Sequence, residues 1–135
     1  MPPLKVKEMD HIVLNTSDIK RSLDFYGRVL GLDVERLEEY EKGEVGFPSV
    51  RINGDTIIDL FARKDDGKPA EGSGLNLNHY CIVADVPDFQ ELMTYLRKND
   101  VPIRGEPASR WGARGRGTSI YVQDPDGNEL ELRSY

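Results

Sequence analysis

His11 and His79 are the only two histidines in the 135 residues, and each opens a short apolar run: His11-Ile12-Val13-Leu14 and His79-Tyr80-Cys81-Ile82-Val83. A carboxylate follows each inside another alternating stretch, Asp59 in Ile57-Ile58-Asp59-Leu60-Phe61 and Glu131 in Leu130-Glu131-Leu132, at 48 and 52 positions from its histidine. Side chains alternate along a strand, so Ile58 and Leu60 share one face and leave Asp59 on the other, as Leu130 and Leu132 do for Glu131. A carboxylate at a strand centre is costly unless a metal, a cation or hydrogen-bond donors meet it. Imidazole suits Fe, Ni, Cu, Co and Zn, and carboxylate suits the harder ions, so two of each are a ligand set for a divalent metal wherever the strands converge. Two histidines and two acids would be unremarkable alone; their repetition at matched places is the signal.

The elements that must position them follow from periodicity and turn chemistry. Met9 to Leu14 reads as a strand with Ile12 and Leu14 on one face and His11 with Val13 on the other. Thr16-Ser17-Asp18 then caps a helix expected over about 18–30, where Ile19, Leu23, Tyr26 and Leu30 recur at helical spacing before Gly31. Strands are expected at about 32–40, 46–52 and 56–61, the last after the turn Asn53-Gly54-Asp55. The stretch 63–76 is polar and glycine-rich and reads as a linker. The pattern then restarts, with a strand over 78–83, a helix opened by Asp85-Val86-Pro87-Asp88 and ended by Asn99-Asp100, and a short strand over 101–105. An arginine- and glycine-rich loop over 110–117 leads into a strand over 118–123, the turn Asp124-Pro125-Asp126-Gly127 and the strand of Glu131. The expected fold is α+β in a single domain over 1–135. Its paired βαβββ modules, about 7–63 and 77–135 with a linker at about 64–76, form a curved mixed sheet with a metal-binding cleft. In this reading the 110–117 loop closes over the cleft, with Gly112, Gly115 and Gly117 as hinges and Arg114 or Arg116 meeting an anionic substrate.

Composition narrows the function. At 38% hydrophobic residues the chain supports a real core, and a formal net charge of −6 argues against nucleic-acid and membrane-surface partners, leaving a small-molecule substrate. The N-terminus carries no apolar run of signal-peptide type and no stretch approaches a membrane span, so a cytoplasmic location is expected. Cys81 is the single cysteine, and its apolar run predicts a buried thiol. Sheet edges and apolar strand surface predict a homodimer.

The segments Asp10-His11-Ile12-Val13, Ser22-Leu23-Asp24-Phe25-Tyr26 through Val29-Leu30-Gly31-Leu32, Ile58-Asp59-Leu60, Asn78-His79, and Asp124-Pro125-Asp126-Gly127-Asn128 through Glu131-Leu132 resemble the vicinal oxygen chelate superfamily over nearly the whole chain. That superfamily includes lactoylglutathione lyases, extradiol dioxygenases, fosfomycin-modifying thiol transferases and bleomycin-binding proteins. Arg110-Trp111-Gly112-Ala113 through Ser119-Ile120-Tyr121-Val122 is similar to a lyase-like subgroup. The resemblance implies metal ligands at His11, His79 and Glu131, with Asp59 where the lyases usually carry glutamate; one methylene shorter, Asp59 is either a fourth ligand or acts through a water, leaving a two-His, one-carboxylate face with open positions. It implies a divalent ion, with Zn, Ni, Co, Mn and Fe(II) all compatible.

Three chemistries follow from the resemblance. A glyoxalase-like lyase or isomerase would act on a small 2-oxo or thiol-adduct substrate through a metal-bound enediolate, with Glu131 as the candidate base and Asp59 as the other. An extradiol-type dioxygenase would use His11, His79 and Glu131 as a facial triad for Fe(II), with Tyr121 near the reacting oxygen; the lack of further histidines opposes it. A non-catalytic protein would only bind a small molecule, an antibiotic for example.

Overall fold

The computed structural model describes residues 7–63, 77, 79–112 and 114–135, and the chain divides into two compact units, one within 1–68 and one within 69–135. The expected linker at 64–76 lies outside the described residues.

In the first unit, strand β1 (His11–Thr16) leads through the cap residue Asp18 into helix α1 (Ile19–Leu23), which continues as a π-helical stretch over Asp24–Val29. The regular helix expected over 18–30 is thus π-helical in its second half. Leu30 N–H donates to Phe25 O at 2.9 Å, and the wider turn keeps Ser22, Leu23, Phe25, Tyr26 and Val29 all buried. Strand β2 (Asp33–Glu35) is shorter than expected. Arg36 adopts a left-handed conformation, φ 61°, that ends the strand, and residues 37–41 form helix α2 (Leu37–Glu41), supported by the Lys42–Glu38 pair at 2.8 Å. Strands β3 (Ser49–Arg51) and β4 (Ile57–Ala62) complete a four-stranded mixed sheet ordered β1-β4-β3-β2, with β1 and β4 parallel. Leu14, Val50, Ile58 and Leu60 are buried with the α1 residues, while His11, Val13 and Asn15 are exposed along β1.

The second unit repeats this plan. Strand β5 (Tyr80–Val83), helix α3 (Phe89–Lys98), β6 (Ile103–Gly112), β7 (Gly115–Gln123) and β8 (Glu129–Ser134) make a sheet ordered β5-β8-β7-β6, with β5 and β8 parallel. The core joins Met93 and Leu96 of α3 to Ile120, Val122, Leu130 and Leu132. Two expectations are corrected here. The segment 110–117 is largely the end of a hairpin rather than a loop, since β6 runs to Gly112 and Arg110 pairs with Gly117; Cys81 is exposed rather than buried. Cys81 sits on an edge strand opposite Glu131, and alternation turns it to the face away from the helix.

The turn between β7 and β8 sets their register. Buried Asp124 accepts from the backbone N–H of Asp126 (2.9 Å) and Asn128 (2.8 Å), and Gly127 supplies the required φ of 81°. Both α1 and α3 are capped by an aspartate whose side chain accepts from the second and third residues beyond it. Asp88→Ala is expected to lower stability by about 1 kcal/mol, read as a lower urea midpoint at unchanged slope. Among the described residues, no helix is long and apolar enough to cross a membrane.

Candidate metal centre

Each unit brings one imidazole to one carboxylate on the sheet face turned away from the helix. In the first, Asp59 of β4 is buried and its Oδ2 stands 4.0 Å from Nε2 of His11. In the second, buried Glu131 places Oε1 at 3.3 Å from Nε2 of His79, which immediately precedes β5.

The hydrogen bonding around the two carboxylates also repeats. Ser49 Oγ donates to Asp59 Oδ1 at 2.6 Å and Arg36 donates to the same oxygen at 3.3 Å. Ser119 Oγ donates to Glu131 Oε2 at 2.7 Å and Arg133 to the same oxygen at 2.9 Å. In each pair a serine and an arginine hold one oxygen while the other faces the imidazole. The strand register explains the serines: Ser49 lies opposite Asp59 on β3, and Ser119 lies opposite Arg133 one pleat along from Glu131. Arg133 is two residues beyond Glu131 and therefore on its face; its guanidinium also donates to Arg110 O at 3.0 Å.

These donors set the charge of the acid. Burial pushes the Glu131 carboxyl up, but the hydrogen bonds from Ser119 and Arg133 and the Arg133 charge outweigh it and bring its pKa below the ordinary value of 4.5. A depressed carboxyl contributes stability that is complete above its unfolded pKa and lost as pH falls through the folded one. The gap in urea midpoint between the metal-free protein and its Glu131→Gln variant is therefore expected to hold from pH 7 to about 5 and to narrow below the ordinary glutamate range. A gap constant down to strongly acid pH would contradict this.

His11 is oriented by its neighbour: Nδ1 is 2.6 Å from Asp10 Oδ1, and this hydrogen bond, with the Asp59 and Asp10 charges, raises the imidazole pKa above 6.5. With Nδ1 engaged by a carboxylate, Nε2 is the nitrogen turned to Asp59, the arrangement found around metal-binding histidines. Two donors on one ion at bond lengths of about 2 Å stand roughly 3 to 3.4 Å apart. The His79–Glu131 separation of 3.3 Å fits that spacing, and the 4.0 Å between His11 and Asp59 exceeds it. Among the described residues, no three or more His, Cys, Asp or Glu side chains gather into a metal-holding group. Imidazole with carboxylate, as each unit presents them, is the right chemistry for a divalent transition ion or zinc.

Tyr121 lies opposite Glu131 in register and edge-on to the His79 ring at 5.6 Å, beside the carboxylate. Loss of solvent and the Glu131 charge raise its phenol pKa, so it stays protonated at neutral pH. Arg114 and Arg116 take other directions. Arg114 stacks over Tyr135 at 5.4 Å, and Arg116, the register partner of Trp111, alternates to the face opposite Glu131 and donates to Ser109 Oγ at 3.3 Å. The site groups not anticipated from sequence are Asp10, Arg36, Ser49, Ser119 and Arg133. For Arg133 the i+2 spacing from Glu131 was the available signal, whereas the serines needed the strand register.

A βαβββ unit used twice, each copy turning an imidazole and a clamped carboxylate to its free face, is a paired-module fold. The chain belongs to the glyoxalase/bleomycin resistance protein/dioxygenase superfamily, which matches residues 8–132. A virulence protein of Salmonella typhimurium is 30% identical over 96% of this chain and 85% of its own length. A probable lactoylglutathione lyase of Synechocystis is 29% identical over 90% of this chain and 91% of its own. Among solved structures, an integron cassette protein from the mobile metagenome of Vibrio cholerae is 29% identical, covers 98% of both chains and superposes with a TM-score of 0.74.

Proposed function

We propose that the chain is a metal-dependent lyase or isomerase of glyoxalase type acting on a small 2-oxo or thiol-adduct substrate. His11, His79 and Glu131 are the ligands and Asp59 is the group that moves the proton. The observation that carries this division is the asymmetry between two otherwise matching clamps, 3.3 Å at His79–Glu131 against 4.0 Å at His11–Asp59. Aspartate is one methylene shorter than glutamate, and its carboxylate sits correspondingly farther from its imidazole. When bound, the ion supplies Lewis-acid stabilisation of charge developing on a substrate oxygen.

The protein's own groups do the rest. Ser119 and Arg133 keep Glu131 ionised, which suits a ligand. Asp10 fixes the ring of His11 through Nδ1. Ser49 and Arg36 hold Oδ1 of Asp59, so that Oδ2 is the oxygen presented for proton transfer. A homodimer is part of the same reading, supported by the exposed apolar side chains of Val13, Val34, Phe61 and Val83; a cytoplasmic location belongs to it as well.

The test follows thioester formation by ultraviolet absorbance from hemithioacetals of a 2-oxoaldehyde with a panel of small thiols, using protein loaded with Zn, Ni, Co or Mn. Asp59→Asn is expected to lose at least about 100-fold in kcat, the low end for a proton-transfer group, at unchanged metal content. Wild-type turnover in that variant would remove the proton role. A second reading, an extradiol-type dioxygenase with Fe(II), draws on Tyr121, whose protonated phenol stands beside His79 and Glu131. Oxygen uptake on adding catechol and air to anaerobically Fe(II)-loaded protein, with no turnover of any thiol adduct, would favour it.

A further inference from the structure

The geometry points to an oxyanion subsite on the second unit, built from Arg110 and the Tyr121 ring, that binds a carboxylate of the substrate; this rests on the metal-centre reading above. The register of the sheet gathers the parts. Tyr121 lies opposite both Glu131 and Arg104, and Arg110 lies opposite Gly117, four residues before Tyr121 on β7 and so on the same face as Tyr121. An irregularity between Arg104 and Ala108 shifts the pairing and still leaves both arginines on the Glu131 face. The Arg104 guanidinium carbon is 4.8 Å from the centroid of Tyr121 and that of Arg110 is 5.9 Å from it, while the same ring meets His79 at 5.6 Å.

Charge balance singles out Arg110. Arg104 is paired with Glu129 at 2.5 Å and buried Arg133 with Glu131 at 2.9 Å, whereas Arg110 is exposed and forms no ion pair among the described residues. Its backbone is tied to the site by one shared group. Arg133 donates to Glu131 with one nitrogen and to Arg110 O at 3.0 Å with another. Gly117 makes that crossing possible, since a Cβ there would stand 2.9 Å from Ser134 O and 3.2 Å from the Arg133 guanidinium. A weakly hydrated, planar guanidinium lying over an aromatic face is suited to a carboxylate, and one uncompensated cation matches one monoanion. The chain's net charge of −6 repels anions in general, so an anion preference here must be local.

Calorimetry on Zn(II)-loaded protein, with acetohydroxamate and the monohydroxamate of succinic acid as probes, separates this subsite from the metal centre. Wild type is expected to bind the carboxylated probe about tenfold tighter, in line with a charge-assisted hydrogen bond. Arg110→Gln should bind both probes with the affinity wild type shows for acetohydroxamate, Arg110→Lys should recover part of the preference, and Arg116→Gln, altered on the opposite face, should keep all of it. Equal affinities in wild type, or a preference that survives Arg110→Gln, would overturn the subsite while the metal centre stands. Failure of both probes to bind would overturn the metal centre and the subsite together.

Discussion

Replacing Arg133 with Met is expected to cost about 3–5 kcal/mol of folding stability. Arg133 is 2% exposed and Glu131 4%, and the guanidinium is the full positive charge in contact with that carboxylate. Removing it leaves an ionised group in a site that water reaches poorly, with the neutral hydroxyls of Ser119 and Tyr121 as donors. The loss should appear as a lower urea midpoint in metal-free protein. Because the cost comes from the stranded carboxylate, the double variant Arg133→Met/Glu131→Leu should regain most of it. A single variant within about 1 kcal/mol of wild type would show that the pair is solvated and would undo the electrostatic account of the clamp.

The second large effect concerns Glu131 itself. Glu131→Gln keeps the shape and can still accept from Ser119, but it withdraws the anionic oxygen that faces His79. Loss of metal affinity by more than about 100-fold is expected, beyond the usual effect of removing a mere supporting contact. Turnover should fall with it. Asp59→Asn separates the roles, since it should retain the metal and lose the reaction. If Glu131→Gln binds metal as wild type does while Asp59→Asn does not, the two carboxylates have been assigned in reverse.

Much of this arrangement was legible in the sequence because it repeats. The strand faces of His11, Asp59 and Glu131 followed from alternation with neighbouring Ile and Leu, and the βαβββ order of both units followed from periodicity and turn chemistry. Misreadings arose where one backbone angle or a long-range pairing decided the outcome. Arg36 in a left-handed conformation turned an expected strand into β2 followed by α2. The glycines of 110–117 read as a loop, yet pairing of Arg110 with Gly117 makes them part of a hairpin. Cys81 shows the limit of local hydrophobicity, since an apolar run on an edge strand still presents every second side chain to the free face. The serine and arginine clamps were hidden for a related reason: sequence spacing names a strand, but only register says which serine stands across from which acid.

Metal content decides whether the His79–Glu131 pair belongs to a metal centre. Protein purified without chelator or histidine tag, and its His79→Ala variant prepared in parallel, would be assayed by elemental mass spectrometry before and after soaking with divalent ions. Near-stoichiometric metal in wild type that disappears in the variant is the predicted result. Metal absent from both proteins even after soaking would contradict the account and leave a scaffold that binds small molecules without an ion.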